Sequence, residues 1–140
     1  MLGLFVAGAR AGEPEVVSLL DRTVWVDIGI GRNLASLSAK EVTELKACRT
    51  ATMAFRKTDA GWEQIFYTGI ETRTVYAFAR LVKNGAEITI RFFTQGRLAP
   101  VETVRLLPRQ NALVEETPGF RPHTFLQCNF SRPDAKGHGN

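Results

Sequence analysis

The sequence predicts a mainly β protein: an eight-stranded antiparallel up-and-down barrel with one or two short helices near the N-terminus. An open, curved antiparallel sheet wrapped on a helix (α+β) is the alternative. Three observations carry this. Thr72 to Gln95 (TRTVYAFARLVKNGAEITIRFFTQ) alternates in polarity and turns at Asn84-Gly85, a pair suited to the φ > 0 geometry of a two-residue hairpin. Seven of the eight alternating segments follow one another with mostly short links, and one longer, helix-containing connection separates the first from the second. Closing such a run into a barrel also removes the edges that an open sheet exposes.

At the N-terminus, Leu2 to Ala9 (LGLFVAGA) is a short apolar run followed by the small-x-small pattern Ala9-Arg10-Ala11. This fits the end of a signal peptide, residues 1–11, with the mature chain beginning at Gly12. No positive n-region precedes the run, so the given start is expected to lie inside a longer signal. The run is too short to be a transmembrane segment, which needs about 20 apolar residues. A single domain is expected over residues 12–130, and 131–140 (SRPDAKGHGN), without apolar side chains beyond alanine, is expected to be a disordered tail.

Glu13 to Arg22 predicts a short helix with Val16, Val17, Leu19 and Leu20 as its apolar side. Val24 to Ile30 then alternates as a strand, with Val24, Val26, Ile28 and Ile30 on the expected core face and Trp25 and Asp27 on the other. Gly29 and Gly31 lack the third glycine of a dinucleotide-binding turn, because position 34 is Leu34. Ser38 and Glu41 form a capping box, so a helix begins at Ala39 and runs to about Ala47, with Val42 and Leu45 as its apolar stripe.

Ala51 to Thr58 and Trp62 to Thr68 flank Asp59-Ala60-Gly61, which reads as a three-residue hairpin loop. That register pairs Phe55 with Ile65, Met53 with Tyr67, and Lys57 with Glu63. In the central hairpin the turn at Asn84-Gly85 pairs Lys83 with Ala86, Leu81 with Ile88, Ala79 with Ile90 and Ala77 with Phe92. Val101 to Leu107, Ala112 to Thr117 and His123 to Phe130 complete the strands; the loop between the first two, around Pro108 to Asn111, leaves their register open. The expected interior is Met53, Phe55, Ile65, Tyr67, Ala77, Ala79, Ile88, Ile90 and Phe92. Most of these are bulky, so a small cavity is expected.

This layout resembles the lipocalin-like, or calycin, class of small barrels. The shared features are a short N-terminal helix, Thr23-Val24-Trp25 near the first strand, a long first connection, short hairpins and a late cysteine. The resemblance implies a barrel and the habit of binding small apolar ligands or protein partners.

Composition narrows function further. The chain has 140 residues, 44% hydrophobic and 23% charged, enough for one real core, and its +4 charge is mild and rich in arginine. No run of five basic residues occurs, so no nucleic-acid partner is expected. Cys48 and Cys128 are the only cysteines and read as a disulfide formed in an oxidising, periplasmic or secreted setting.

Catalytic signals are thin. His123 and His138 are the only histidines, the four serines sit in no nucleophile-elbow context, and no metal-ligand spacing occurs. No cofactor is expected. Glu115 and Glu116 are neighbours on a strand, so they face opposite sides and read as exposed charges on an edge strand. His123 reads as structural or exposed. The one constellation of note is the outer face of the central hairpin, where Tyr76, Phe78, Arg80, Arg91 and Phe93 combine three aromatics and two guanidinium groups. Tyr76 is expected opposite Phe93, Phe78 opposite Arg91 and Arg80 opposite Thr89. These residues are either covered by one of the helices or form a binding surface for a ligand or protein. The expected function is a non-enzymatic module of the cell envelope that binds a small apolar ligand or a partner protein. The alternative is an inhibitor of a secreted enzyme such as a protease.

Overall fold

A computed structural model describes residues 16–50, 52–59, 61–67, 71–76, 79–84, 87–94, 96 and 98–132, the side chains of 71–76, 79–81, 83–84 and 131 excepted. The expected signal segment and residues 133–140 of the expected tail lie outside the described residues. Helix α1 (16–22) leads into strand β1 (Thr23–Asp27), and helix α2 (Ala39–Lys46) follows a short 3-10 turn at Leu34–Ser36. The remaining strands are β2 (Thr52–Thr58), β3 (Gly61–Phe66), β4 (Glu71–Tyr76), β5 (Ala79–Asn84), β6 (Glu87–Phe92), β7 (Glu102–Leu107), β8 (Ala112–Glu116) and β9 (His123–Ser131). All nine belong to one antiparallel sheet in the order β4-β3-β2-β1-β9-β8-β7-β6-β5.

The sheet is curled. Phe55 on β2 stacks on Phe92 on β6 with ring centroids 5.5 Å apart, and Trp62 on β3 meets the same ring edge-on at 5.9 Å. Strands β2 and β6 are five steps apart in the order, which in a flat sheet would separate them by about 24 Å. Only a sheet rolled around its own inner face brings those rings together. Its two edge strands, β4 and β5, are separated in the chain by residues 77 and 78 alone, so the roll returns to where it began. Among the described residues these edges are not paired with each other, and the result is an open half-barrel.

One strand expected as continuous is therefore two. The segment from Thr72 to Lys83 pairs with β3 in its first half and with β6 in its second. A strand at the seam of a rolled sheet must change partners along its length, which alternation alone does not reveal. The β5–β6 register also differs from expectation: Lys83 faces Ile88, Leu81 faces Ile90 and Ala79 faces Phe92. This is a shift of two residues, and an even shift does not exchange the faces of a strand. Ala77 lies outside the described residues.

The β2–β3 hairpin carries the more consequential correction. Gly61 is the first residue of β3, paired with Thr58, rather than the last of the loop. Phe55 consequently faces Gln64 and Met53 faces Phe66, a slip of one residue that exchanges the two faces of β3. Trp62 and Gln64 are buried, while Ile65 is half-buried and Tyr67 exposed, contrary to the expected interior. The gain is physical: the Trp62 ring packs on Phe92, and Arg56 Nε donates to Glu63 Oε2 at 3.0 Å. Lys57, expected to pair with Glu63, instead places its ammonium 5.4 Å from the centre of the Trp62 ring.

Two cores result, one on each side of β1. The inner core joins Trp25, Met53, Phe55, Trp62, Ile90 and Phe92 with Leu20 of α1, whose Val16 and Val17 pack against it. The outer core joins Val24, Val26, Ile28, Leu126 and Cys128 beneath Val42 and Leu45 of α2. Trp25, expected opposite the core, is thus inside the roll, and the face expected to form the core is covered by α2. Alternation of two fully apolar faces does not say which is concave. The capping box of α2 is present, with the Glu41 N–H donating to Ser38 Oγ at 3.1 Å and the Ser38 N–H to Glu41 Oε1 at 3.2 Å.

Candidate functional site

Connections between strands alternate between the two ends of the roll. The links at 59–60, 85–86 and 108–111 lie at the end that receives α1, and those following β1, β3, β6 and β8 lie at the other. The first end is closed. The Lys57 N–H donates to Asp21 Oδ1 at 2.7 Å, and the Arg132 N–H donates to the Arg22 carbonyl at 2.7 Å. The Arg132 side chain is fully buried, with Nη2 3.3 Å from Asp21 Oδ1 and Nη1 donating to the Phe55 carbonyl at 3.4 Å. The packed chain accordingly runs through Ser131 and Arg132, two residues past the expected start of the tail.

At the opposite end the inner face turns polar. Asp27 follows Trp25 on the inner face of β1, Gln64 follows Trp62 on β3, and Glu115 follows Leu113 on β8. His123 precedes Phe125 on β9 in the same way. These residues line or border a cavity of about 240 Å³ whose walls are Asp27, Thr52, Met53, Phe66, Glu115, His123 and Phe125. His123 Nδ1 lies 3.4 Å from Asp27 Oδ2, and its ring stacks on Phe125 with centroids 6.3 Å apart. Gln64 donates to the Glu115 carboxylate, although their strands are four steps apart in the sheet. Glu102 is buried on the same face of β7 as Val104 and Leu106. Deeper in, the indole N–H groups of Trp25 and Trp62 are buried without a hydrogen-bond partner. Among the described residues, a larger hollow of about 710 Å³ is lined by Arg56–Asp59 alone.

Glu115 is therefore not an exposed charge on an edge strand. Strand β8 is held between β7 and β9, and Glu115 faces inward while Glu116 accepts a hydrogen bond from Arg105 Nε at 2.7 Å. The expected separation of the two glutamates onto opposite sides is what puts one of them in the cavity. No spacing in the sequence could have joined Asp27, Glu115 and His123, because the curl, not local order, makes them neighbours.

The residues singled out on the central hairpin are placed differently. Arg80 on β5 faces Arg91 on β6, and Arg91 is exposed. Tyr76 closes β4, opposite Gly61, and Phe93 follows β6 half-buried. Phe78 lies outside the described residues. The two-residue register shift replaces two of the expected pairings, since Arg91 faces Arg80 and Thr89 faces Val82. Helix α2 packs on β9 and β1, and α1 on the inner core.

Cys48 and Cys128 form a disulfide with Cα atoms 5.7 Å apart, joining the residue after α2 to β9. Cys48 has φ 56, a left-handed conformation more usual for glycine at a helix C-terminus, and its N–H donates to the Leu45 carbonyl at 2.8 Å. In the loop after β1, Gly29 adopts φ 110 and its N–H donates to Asp27 Oδ1 at 2.8 Å. That turn aims Asp27 toward the cavity, which is the part Gly29 plays. Among the described residues no cluster of His, Cys, Asp and Glu has the makings of a metal site, and no helix is long and apolar enough to cross a membrane.

Comparisons with models of known protein families, with curated proteins and with solved structures find no match.

Proposed function

We propose that the protein is an exported, non-enzymatic binding module of the cell envelope that holds a small, mainly apolar ligand in the cavity at the open end of the roll. The observation that carries this reading is the cavity itself. It has an apolar wall of Met53, Phe66 and Phe125, and a polar rim of Asp27, Glu115 and His123. At about 240 Å³ it falls below the roughly 300–1,000 Å³ of drug-sized sites, which suits a single ring or a short chain. The carboxylates at the rim favour a ligand whose polar end donates hydrogen bonds or carries positive charge. The resemblance to lipocalin-like barrels supports the same habit of binding, and the disulfide supports an oxidising compartment.

The test is titration with a neutral hydrophobic fluorophore, N-phenyl-1-naphthylamine, followed by probe emission and by the emission of Trp25 and Trp62. Saturable binding is expected, and Met53→Trp, which fills the cavity, should abolish it while leaving the melt cooperative. Binding that survives this change, or no binding by the folded protein, would overturn the reading. The His123–Asp27 contact favours one other reading, proton transfer to a bound substrate, since a carboxylate at one ring nitrogen orients the other as a base. A bound compound that changes mass over time with wild-type protein, and not with His123→Gln, would decide for that reading.

A further inference from the structure

The loops around the open end share a composition. Residues 28–37, 67–70, 93–101 and 117–122 contain no aspartate or glutamate, while they contain Arg32, Arg97 and Arg121. They also display large apolar side chains in water: Ile30 is 71% exposed, Phe120 76%, Leu98 completely, and Tyr67 to a lesser degree. The other exposed large apolar residues among those described, Val82 and Phe130, lie on strands. Isolated exposed apolar residues are ordinary. Three at the tips of separate loops, around one opening, are not.

In each of the three long loops an arginine stands within two residues of the exposed tip: Ile30-Gly31-Arg32, Arg97-Leu98 and Phe120-Arg121. Arg121 is exposed, and Arg32 keeps 40% of its side chain exposed while its Nη2 lies 2.7 Å from Glu41 Oε2. Arg97 lies outside the described residues.

We infer that this rim docks on an anionic lipid bilayer, with Ile30, Leu98 and Phe120 entering the headgroup region and Arg32 and Arg121 meeting lipid phosphates. Apolar tips at several points with cations beside them match a negative surface that yields to insertion, the nearby carboxylates being set back on the strand ends: Asp27 and Glu115 in the cavity wall, Glu102 buried, and Glu116 held by Arg105. A protein partner would more often meet a continuous apolar centre with a polar rim. The inference does not rest on the cavity being occupied, and it would place the opening against the membrane.

The experiment is sedimentation of the full chain, with no added ligand, with vesicles of phosphatidylcholine alone or with about a third phosphatidylglycerol. Binding is expected to the anionic vesicles and to weaken at high salt. Arg121→Gln should reduce it about fivefold, the loss expected for one cation at such a surface. Leu98→Ser with Phe120→Ser should reduce it at least about tenfold, since two apolar side chains no longer leave water. These positions are exposed, so thermal melts should match wild type, and Val82→Ser serves as an exposed apolar control away from the rim. No binding to anionic vesicles, equal binding to neutral ones, or equal loss in the control would each overturn the inference. So would concentration-dependent self-association that the same double variant abolishes, because the tips would then cover one another.

Discussion

The two ends of the roll are built from the same strands and come out opposite in character. At the closed end, α1 fills the opening with Leu20, and Asp21 and Arg132 tie α1, β2 and the end of β9 together. Asp21 accepts from the Lys57 N–H and lies against the Arg132 guanidinium, whose Nη1 donates to the Phe55 carbonyl. At the open end the same strands carry Asp27, Gln64, Glu115 and His123 on the inner face, and a cavity remains between them. Strand β1 shows the change within three residues, from a buried Trp25 to a half-exposed Asp27. Aromatic packing at mid-height, where Phe55, Trp62 and Phe92 meet, fixes the curl for both ends. The open end can then keep groups that add little to stability, because the shape does not depend on them.

The sharpest test of that division is the aromatic centre. Phe55→Ala should cost about 4 kcal/mol, the range for emptying a fully packed aromatic site, and both ends should loosen together. Asp21→Ala should cost about 3 kcal/mol, because it takes the Asp21 carboxylate from the buried Arg132 guanidinium and the acceptor from the Lys57 N–H. Denaturant melts read both. A Phe55→Ala melt within about 0.5 kcal/mol of wild type would mean the aromatic centre does not fix the curl, and the same result for Asp21→Ala that the closed end is not tied by this pair.

Reduction of Cys48–Cys128 separates the outer layer from the roll. The bond closes a separation of 80 residues, for which chain entropy gives an upper figure of about 4 kcal/mol. A smaller loss of about 2–3 kcal/mol is expected, because Cys48 gives up its left-handed backbone on release. Hydrogen exchange should rise first over residues 28–47, which the bond pins against β9, and last in β2 and β6. Equal loosening of all these elements would mean that α2 and the roll are one unit.

At the open end the effects on stability should be small. Glu115→Gln keeps the shape of the side chain and should change stability by less than about 1 kcal/mol while altering probe binding. A cost equal to that of Asp21→Ala would erase the contrast between the ends.

These contrasts were only partly legible in the sequence. Alternation located the strands, the capping box placed α2 to within a residue, and the two cysteines announced their bond. The antiparallel run and the return of the last strand to the first, β9 on β1, followed from chain order. What alternation could not supply was the sense of the curl. Val24 and Val26 on one side and Trp25 on the other are all apolar, and either face could have been concave. Nor could it fix the β2–β3 loop, where Gly61 fits both a loop and a strand start, and that single residue decides whether Trp62 or Tyr67 is inside. The cavity depends on both choices. Its residues come from five strands, so it could be read only after the roll was known.

The smallest expected effect concerns α2, outside the roll. Arg32 donates to the Glu41 carboxylate and, with the Ser38 backbone N–H, holds its pKa below the ordinary glutamate value of 4.5. A carboxyl depressed in the folded state stabilises that state fully above its unfolded value, and the contribution is lost as pH falls through the lower, folded value. Acidification should therefore fray the first turn of α2, and the loop carrying Arg32, while the inner core still holds. Glu41 keeps 39% of its side chain exposed, so the change should be local, read as faster amide exchange at Glu41 and Val42 relative to Leu113. Glu41→Gln retains a side chain able to accept from the Ser38–Glu41 turn but cannot titrate, so the turn's exchange should lose its acid-dependent step. If the step persists in Glu41→Gln, another group controls the turn, and the Arg32–Glu41 pair has no part in fixing the rim loop.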